Sequence, residues 1–255
     1  MQRILSTAVI VGLLAATAAA FAITERLKLT KSPITGTKIV REYLSPRAHT
    51  TAAINVRFRR SDLTTVTMLD SHRHDVDTIA FRVLVPRGRR TFTWSGLTDA
   101  GTRAKDGTYR MEIHLANQHR TILIPKEIVL DSVAPLVRTA SSRDSFSPEG
   151  DHQSDSLAIH YTLSEHARVV IYLSGHKILG PSHSGKPQGK ITWYGRDGGM
   201  LLPPGVYTLE LGAIDAAGNE TPAADRWPLR IRLRYIALAN HRIIGVAPGP
   251  TPTMW

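Results

Sequence analysis

Few residues in this sequence are spaced for chemistry. His72 and His74 bracket a single residue and precede Asp75, so two imidazoles stand within reach of one metal ion. The sequence places no third ligand beside them, and the segment lies between two strand-like runs, so it reads as a solvated hairpin tip. Gly180 to Lys186, GPSHSGK, has the GxxxxGK spacing of a phosphate-cradling loop. Pro187 stands where such a loop needs a Ser or Thr hydroxyl for Mg²⁺, and Lys190-Ile191-Thr192-Trp193 continues as a strand, so that match is an ordinary loop. Asp151, Asp155, Asp215 and Asn219 carry the oxygen ligands that Ca²⁺ takes. They form a site only if their loops meet at one pole of the fold; apart, they make Asx turns. Calcium is the one candidate cofactor, on that condition. There is no cysteine, which removes disulfides and thiolate metal sites. G-x-S-x-G and H-E-x-x-H are absent, and an enzyme is not expected.

The elements that would position these residues are read from a repeat. Trp94 to Tyr109, WSGLTDAGTRAKDGTY, returns in altered form as Trp193 to Tyr207, WYGRDGGMLLPPGVY. Each copy opens with Trp and a Gly two residues on (Trp94 and Gly96, Trp193 and Gly195). Each then passes an Asp/Gly turn, reaches a second turn ending in Gly107 or Gly205, and places Tyr109 or Tyr207 two residues later. Asp-Gly and Pro-Gly suit tight turns, and Trp suits a half-buried strand end. After each turn the chain alternates apolar and polar, as in Tyr109-Arg110-Met111-Glu112-Ile113, which reads as a strand with one buried face. Upstream, Ser45-Pro46 and Ser147-Pro148 also match, at an offset of 102 residues. A repeat near 100 residues, rich in short strands and turns, predicts an all-β chain of two tandem β-sandwiches.

The Trp-x-Gly, Asp-Ala-Gly and Asp-Gly-x-Tyr pattern resembles the Ig-like domain of the flagellar hook-capping (FlgD-type) family, which is also found in bacterial cell-surface proteins. Phe146-Ser147-Pro148-Glu149-Gly150-Asp151 is similar to the segment that opens such domains, and Ile214-Asp215-Ala216-Ala217-Gly218-Asn219 resembles the loop of related bacterial Ig-like repeats. The resemblance covers about residues 36 to 236 and implies a fold, not an activity. The first copy departs from it: Ser45-Pro46-Arg47-Ala48-His49 lacks the acidic residues, and no Ala-Gly-Asn loop follows Tyr109.

Residues 4–24 carry no charge and match a membrane-spanning helix in length. They read as a retained anchor in the cytoplasmic membrane, with both domains extracytoplasmic. A cleaved signal peptide is the alternative, since Ala18-Ala19-Ala20 and Ala20-Phe21-Ala22 offer small-x-small sites and would yield a secreted protein. The expected organisation is an apolar segment at 1–24, a linker at 25–36, sandwiches at 37–132 and 133–240, and a flexible tail at 241–255. Charge is uneven. Lys31 to Val133 holds 17 Lys/Arg against 10 Asp/Glu, a surplus of seven, whereas Ala134 to Asn240 holds 11 against 10.

These observations lead to a non-enzymatic envelope protein that serves as a binding, adhesion or structural module. Its basic first domain is expected to meet anionic lipid or wall polymer. A spacer or assembly subunit with an unidentified protein partner, and an accessory pair for carbohydrate or calcium-dependent binding, are the alternatives. Lys and Arg without interleaved aromatics in a nucleic-acid fold argue against DNA or RNA.

Overall fold

The structure is a computed structural model, and it describes residues 12–21, 32–150, 154–180, 185–239 and 242–246. The first sandwich contains β1 (Ile34–Ile39), β2 (Tyr43–Leu44), β3 (Ala52–Phe58), β4 (Asp62–Leu69), β5 (Asp75–Val85), β6 (Gly88–Trp94), β7 (Gly107–Leu115) and β8 (Arg120–Leu130). The second contains β9 (Val137–Ser141), β10 (Ser145–Phe146), β11 (Leu157–Leu163), β12 (Arg168–Leu173), β13 (His176–Leu179), β14 (Gln188–Trp193), β15 (Arg196–Asp197), β16 (Met200–Leu201), β17 (Gly205–Ile214) and β18 (Trp227–Leu233). A hairpin of β19 (Tyr235–Ala239) and β20 (Arg242–Val246) follows.

The two units share one topology. In the first, a three-stranded sheet β1-β3-β6 faces a five-stranded sheet β2-β8-β7-β4-β5; in the second, the orders are β9-β11-β14 and β10-β18-β17-β12-β13. Each five-stranded sheet is antiparallel except at one edge, where β2 runs parallel to β8 and β10 parallel to β18. Two facing sheets with this strand exchange make an Ig-like sandwich. The chain is thus all-β, two tandem Ig-like sandwiches after an N-terminal helix at residues 12–21.

Alternation is what builds the layers. Along β7 the inward positions Tyr109, Met111, Ile113 and Leu115 are buried while Arg110 and His114 are exposed. Trp94 and Trp193 stand at the same place in each core, 1% and 2% exposed. Each indole Nε1–H donates to a backbone carbonyl three residues on, Leu97 or Arg196, at 2.9 Å. Each repeat tyrosine donates its hydroxyl to a carbonyl four residues back, Tyr109 to Lys105 at 2.5 Å and Tyr207 to Pro203 at 2.8 Å. The motif therefore ties the loop between the sheets to the core at the same atoms in both copies.

Three expectations are corrected here. The reading of residues 4–24 as a single-pass span, and with it the placement at the cell membrane, is overturned: no helix among the described residues is long and apolar enough to cross a membrane. At 1.5 Å per residue, a helix over 12–21 reaches only about 15 Å, against a hydrocarbon core of about 30 Å. The rest of that run, 4–11 and 22–24, lies outside the described residues. The second correction concerns the tail expected from 241, which opens with a strand, because Arg242–Val246 pairs with Tyr235–Ala239. The third concerns the first sandwich, which starts at Ile34, inside the expected linker, because β1 pairs with β3 from Ile34 onward.

Candidate functional site

A buried polar cluster lies where the two sandwiches meet. The turn after β17 is closed by Asp215, whose Oδ1 accepts the backbone N–H of Gly218 at 2.7 Å and of Asn219 at 2.8 Å. Its Oδ2 accepts the Asn219 amide at 2.7 Å. Asn219 then reaches out of its own domain: the same amide nitrogen donates to the Asp131 carbonyl at 2.9 Å, and its Oδ1 accepts the hydroxyl of Ser45. Beside it Thr50 donates its hydroxyl to the Ala217 carbonyl at 2.9 Å. Thr221, 1% exposed, donates to the Pro135 carbonyl at 2.6 Å. Ser45, Asp215 and Asn219 are all buried, so these groups lose water and are satisfied by one another.

Local sequence explains each part. Asp215 makes an Asx turn that presents Asn219 outward. Ser45-Pro46 precedes β3 and folds back on itself, with the Ser45 N–H donating to Thr50 Oγ1 at 2.7 Å. The hinge after β8 is pinned at Ser132, whose N–H and hydroxyl both donate to the carboxylate of Asp106. Pro135 supplies no donor and leaves its carbonyl for Thr221.

Three carboxylates converge on this joint. Oxygens of Asp131, Glu165 and Asp215 lie within 4.8 Å of one another. Burial pushes Asp131 and Glu165 above the usual carboxylate range; the charge of Asp215 adds to both, and Asp131 adds to Glu165. These are three of the six to eight oxygens Ca²⁺ takes, and those of Asp215 already accept three N–H groups.

Of the four residues considered for calcium, the structure brings Asp215 and Asn219 together and uses them to close the joint. Asp155 lies at the opposite end of the second sandwich, where Asp155 Oδ1 accepts the Gly150 N–H at 2.7 Å. Asp151 lies outside the described residues. Asp131 and Glu165, the actual neighbours of Asp215, escaped the sequence reading because they lie 84 and 50 residues away and carry no motif. Their one signal is position, Asp131 just before the Pro135 hinge and Glu165 in the turn between two strand runs. Ser45 stands out in the sequence only as part of a repeated dipeptide. His72 and His74 do sit at a hairpin tip: their rings stack 5.9 Å apart, and Asp70 accepts both backbone N–H groups. Gly180 and Lys186 lie between β13 and β14, with 181–184 outside the described residues and a strand following.

The pole farthest from the joint is basic. Arg57, Arg59, Arg60 and Arg87 line a cleft of about 770 Å³ formed where β3 turns into β4 and β5 into β6. Four of the first domain's 17 Lys/Arg thus gather at one end.

No family model matches the sequence, and no curated protein matches it. Among solved structures, the chain is similar to the fibronectin(III)-like modules of Clostridium thermocellum CbhA, at 14% identity and a TM-score of 0.39, covering 78% of this chain and 93% of that one. It is also similar to the D0-D1 domain of intimin, at 9% identity and a TM-score of 0.31, covering 78% and 98%. A third is a three-Ig segment of titin, I67–I69, at 11% and 0.34, covering 81% and 68%. Likeness this distant carries no function, and the fold assignment rests on the sheet orders and the two cores.

Proposed function

We propose that the chain is a non-enzymatic structural or binding module of two domains, held as one body so that a surface at one end is fixed relative to the other. The observation that supports this most directly is Asn219, which links its own turn, the hinge carbonyl of Asp131 and the hydroxyl of Ser45 across the joint. With the Thr50 bond, three hydrogen bonds depend on the docked orientation. At about 0.5–1.5 kcal/mol each they sum to roughly 1.5–4.5 kcal/mol. Each 1.4 kcal/mol is about tenfold in population, so the docked arrangement dominates over a loose tether.

Small-angle scattering of the full chain tests this. The wild type should fit a single interdomain orientation, and Asn219→Ala should broaden the distance distribution while each sandwich keeps its near-ultraviolet signal. A wild type that already requires several orientations, or an Asn219→Ala variant with an unchanged profile, contradicts the reading.

A further inference from the structure

The basic pole has more structure than a surplus of charge. The outer face of the β1-β3-β6 sheet carries a row in which Gly36 pairs with Arg57 and Arg57 with Arg89. The next row is Lys38, Asn55 and Thr91. Arg57 and Arg89 therefore stand directly opposite one another on neighbouring strands, where like charges destabilise a sheet. Gly36 adds no side chain, and the space above it is open. The result is a shallow trough of about 410 Å³ over Thr35 to Lys38, Arg57 and Arg89. It shares Thr35 and Arg57 with the larger cleft at the pole, so the two run into each other. Among the described residues no Asp or Glu lines either one. No ion pair among the described residues involves Lys38, Arg57, Arg59, Arg60, Arg87 or Arg89. Arg59 is held in place, its Nε–H donating to the Ser32 carbonyl at 2.7 Å, which leaves the end of its guanidinium for a ligand.

We infer that this track, from the Arg59 and Arg87 pole along the β1-β3-β6 face to Lys38, binds a linear polyanion whose charges are phosphate or carboxylate oxyanions. Guanidinium forks match such groups two bonds at a time, and bound oxyanions would relieve the Arg57–Arg89 repulsion. The two clefts run into each other from the pole onto the sheet face, a path that suits a chain more than the plane of headgroups on a bilayer. Phe58, the one aromatic side chain along it among the described residues, is 2% exposed and points into the core, so these residues offer a nucleic acid no ring on which to stack a base. This inference rests on the reading of the chain as a binding module, and its test uses residues remote from the joint.

The test measures binding of the full chain to long-chain polyphosphate and to polyglutamate at low salt. At least one should bind, and the stronger of the two names the source of the oxyanion. The triple variant Arg57→Gln, Arg87→Gln, Arg89→Gln should weaken binding by about a hundredfold, at about fivefold per arginine near an anionic partner. A control with the same change in charge, Arg230→Gln, Arg232→Gln, Arg234→Gln, should leave it nearly unchanged, because that cleft on the second domain includes Asp144. Thermal unfolding of Arg57→Gln should be no earlier than wild type, since a like-charge contact is removed. Equal losses in both triple variants would reduce the effect to net charge and overturn the site. Tighter binding to vesicles of anionic phospholipid than to either polymer would overturn the chain in favour of a membrane surface. Tighter binding to single-stranded DNA of equal charge would also overturn it. Asn219→Ala should bind as wild type does, so failure of the joint and failure of the track are separable.

Discussion

The Ser-Pro pole of the first sandwich and that of the second are assembled from matching parts and end in opposite states. Ser45, Pro46, Gly96 and Leu130 in one correspond to Ser147, Pro148, Gly195 and Leu233 in the other. The hydroxyl of Ser45 leaves its domain and meets Asn219 of its neighbour. The hydroxyl of Ser147 stays at home and donates to the Arg234 carbonyl at 2.6 Å. The first pole is closed by another domain, the second by its own chain. The repeat thus specifies two sandwiches, while the residues just beyond the repeated dipeptide decide what each pole does. Arg47 to Thr50 folds into a seat for the Ala217 to Asn219 turn; in the second sandwich the Ser147 N–H donates to the Ser154 carbonyl of the same domain at 3.1 Å.

Replacing the two tryptophans should have the largest effect. Both are fully buried, and Trp94→Ala and Trp193→Ala should each cost about 3–5 kcal/mol by chemical unfolding. Trp94 packs against Tyr109 at 4.7 Å between ring centroids and Trp193 against Phe146 at 5.5 Å. The equivalence therefore holds in role, with different partner rings. A loss below about 1 kcal/mol at either site would show that this copy does not use its Trp as core, and the comparison of poles would lose its common frame.

The glycines sharpen the comparison. Gly96 and Gly195 both have positive φ, 78° and 69°, which already strains any other residue. Around Gly96 a Cβ would lie 2.7 Å from Leu44, 2.8 Å from Pro46 and 2.9 Å from Leu130. Around Gly195 its nearest neighbours would be Pro148 at 3.0 Å, Leu233 at 3.4 Å and Phe146 at 3.5 Å. The first pole is tighter, and it cannot relax outward because the second domain sits on it. Gly96→Ala should therefore add about 1–3 kcal/mol of overpacking to a left-handed backbone cost of about 1–2 kcal/mol. Gly195→Ala should show mainly the latter. Denaturant midpoints of the two variants decide it; equal losses would mean that the docked domain does not stiffen the pole it covers.

The sandwiches were legible because their signals are local. Period-two alternation, paired turns and a Trp-x-Gly spacing each lie within some twenty residues, and they returned as strands β6, β7, β14 and β17 at the same places in two cores. The joint was not legible, because its partners are scattered. Ser45 and Asn219 are 174 residues apart, and nothing in either neighbourhood names the other. Asp215 and Asn219 were noticed for their oxygens, yet the sequence could not say whether those oxygens face a cation or an N–H. The basic track was visible only as a count of charges. Its shape depends on Arg57 and Arg89 standing opposite one another, which is a fact of register. Length and lack of charge describe a membrane segment in the apolar N-terminal run, whereas the helix among the described residues covers only 12–21.

The smallest expected effect concerns charge at the joint and sets it against the β4–β5 hairpin of the first sandwich. Burial and like charge hold Asp131 and Glu165 above the ordinary carboxylate range. A carboxyl whose folded pKa is raised binds its proton more tightly in the folded state. Stability from these two groups therefore falls as pH rises from about 4 through their raised values, and the joint is strained at neutral pH. Asp70 has the opposite sign. The His74 N–H is the largest influence and lowers its pKa, with His72 adding to it, so its contribution is present above the ordinary value and lost as pH falls. Glu165→Gln isolates the joint. The variant and the wild type should converge below about pH 3, where Glu165 is protonated in both folded and unfolded chains. At pH 7 the variant should unfold at a higher temperature, because one charge has been removed from a cluster of three. The gain should shrink in Asn219→Ala, where Asp131 is no longer held against Glu165 while Asp215, on the same sandwich, remains. If Glu165→Gln is less stable than wild type at pH 7, Glu165 is held by an attraction that outweighs its two acidic neighbours. The joint would then be an ion-paired contact in place of a strained one.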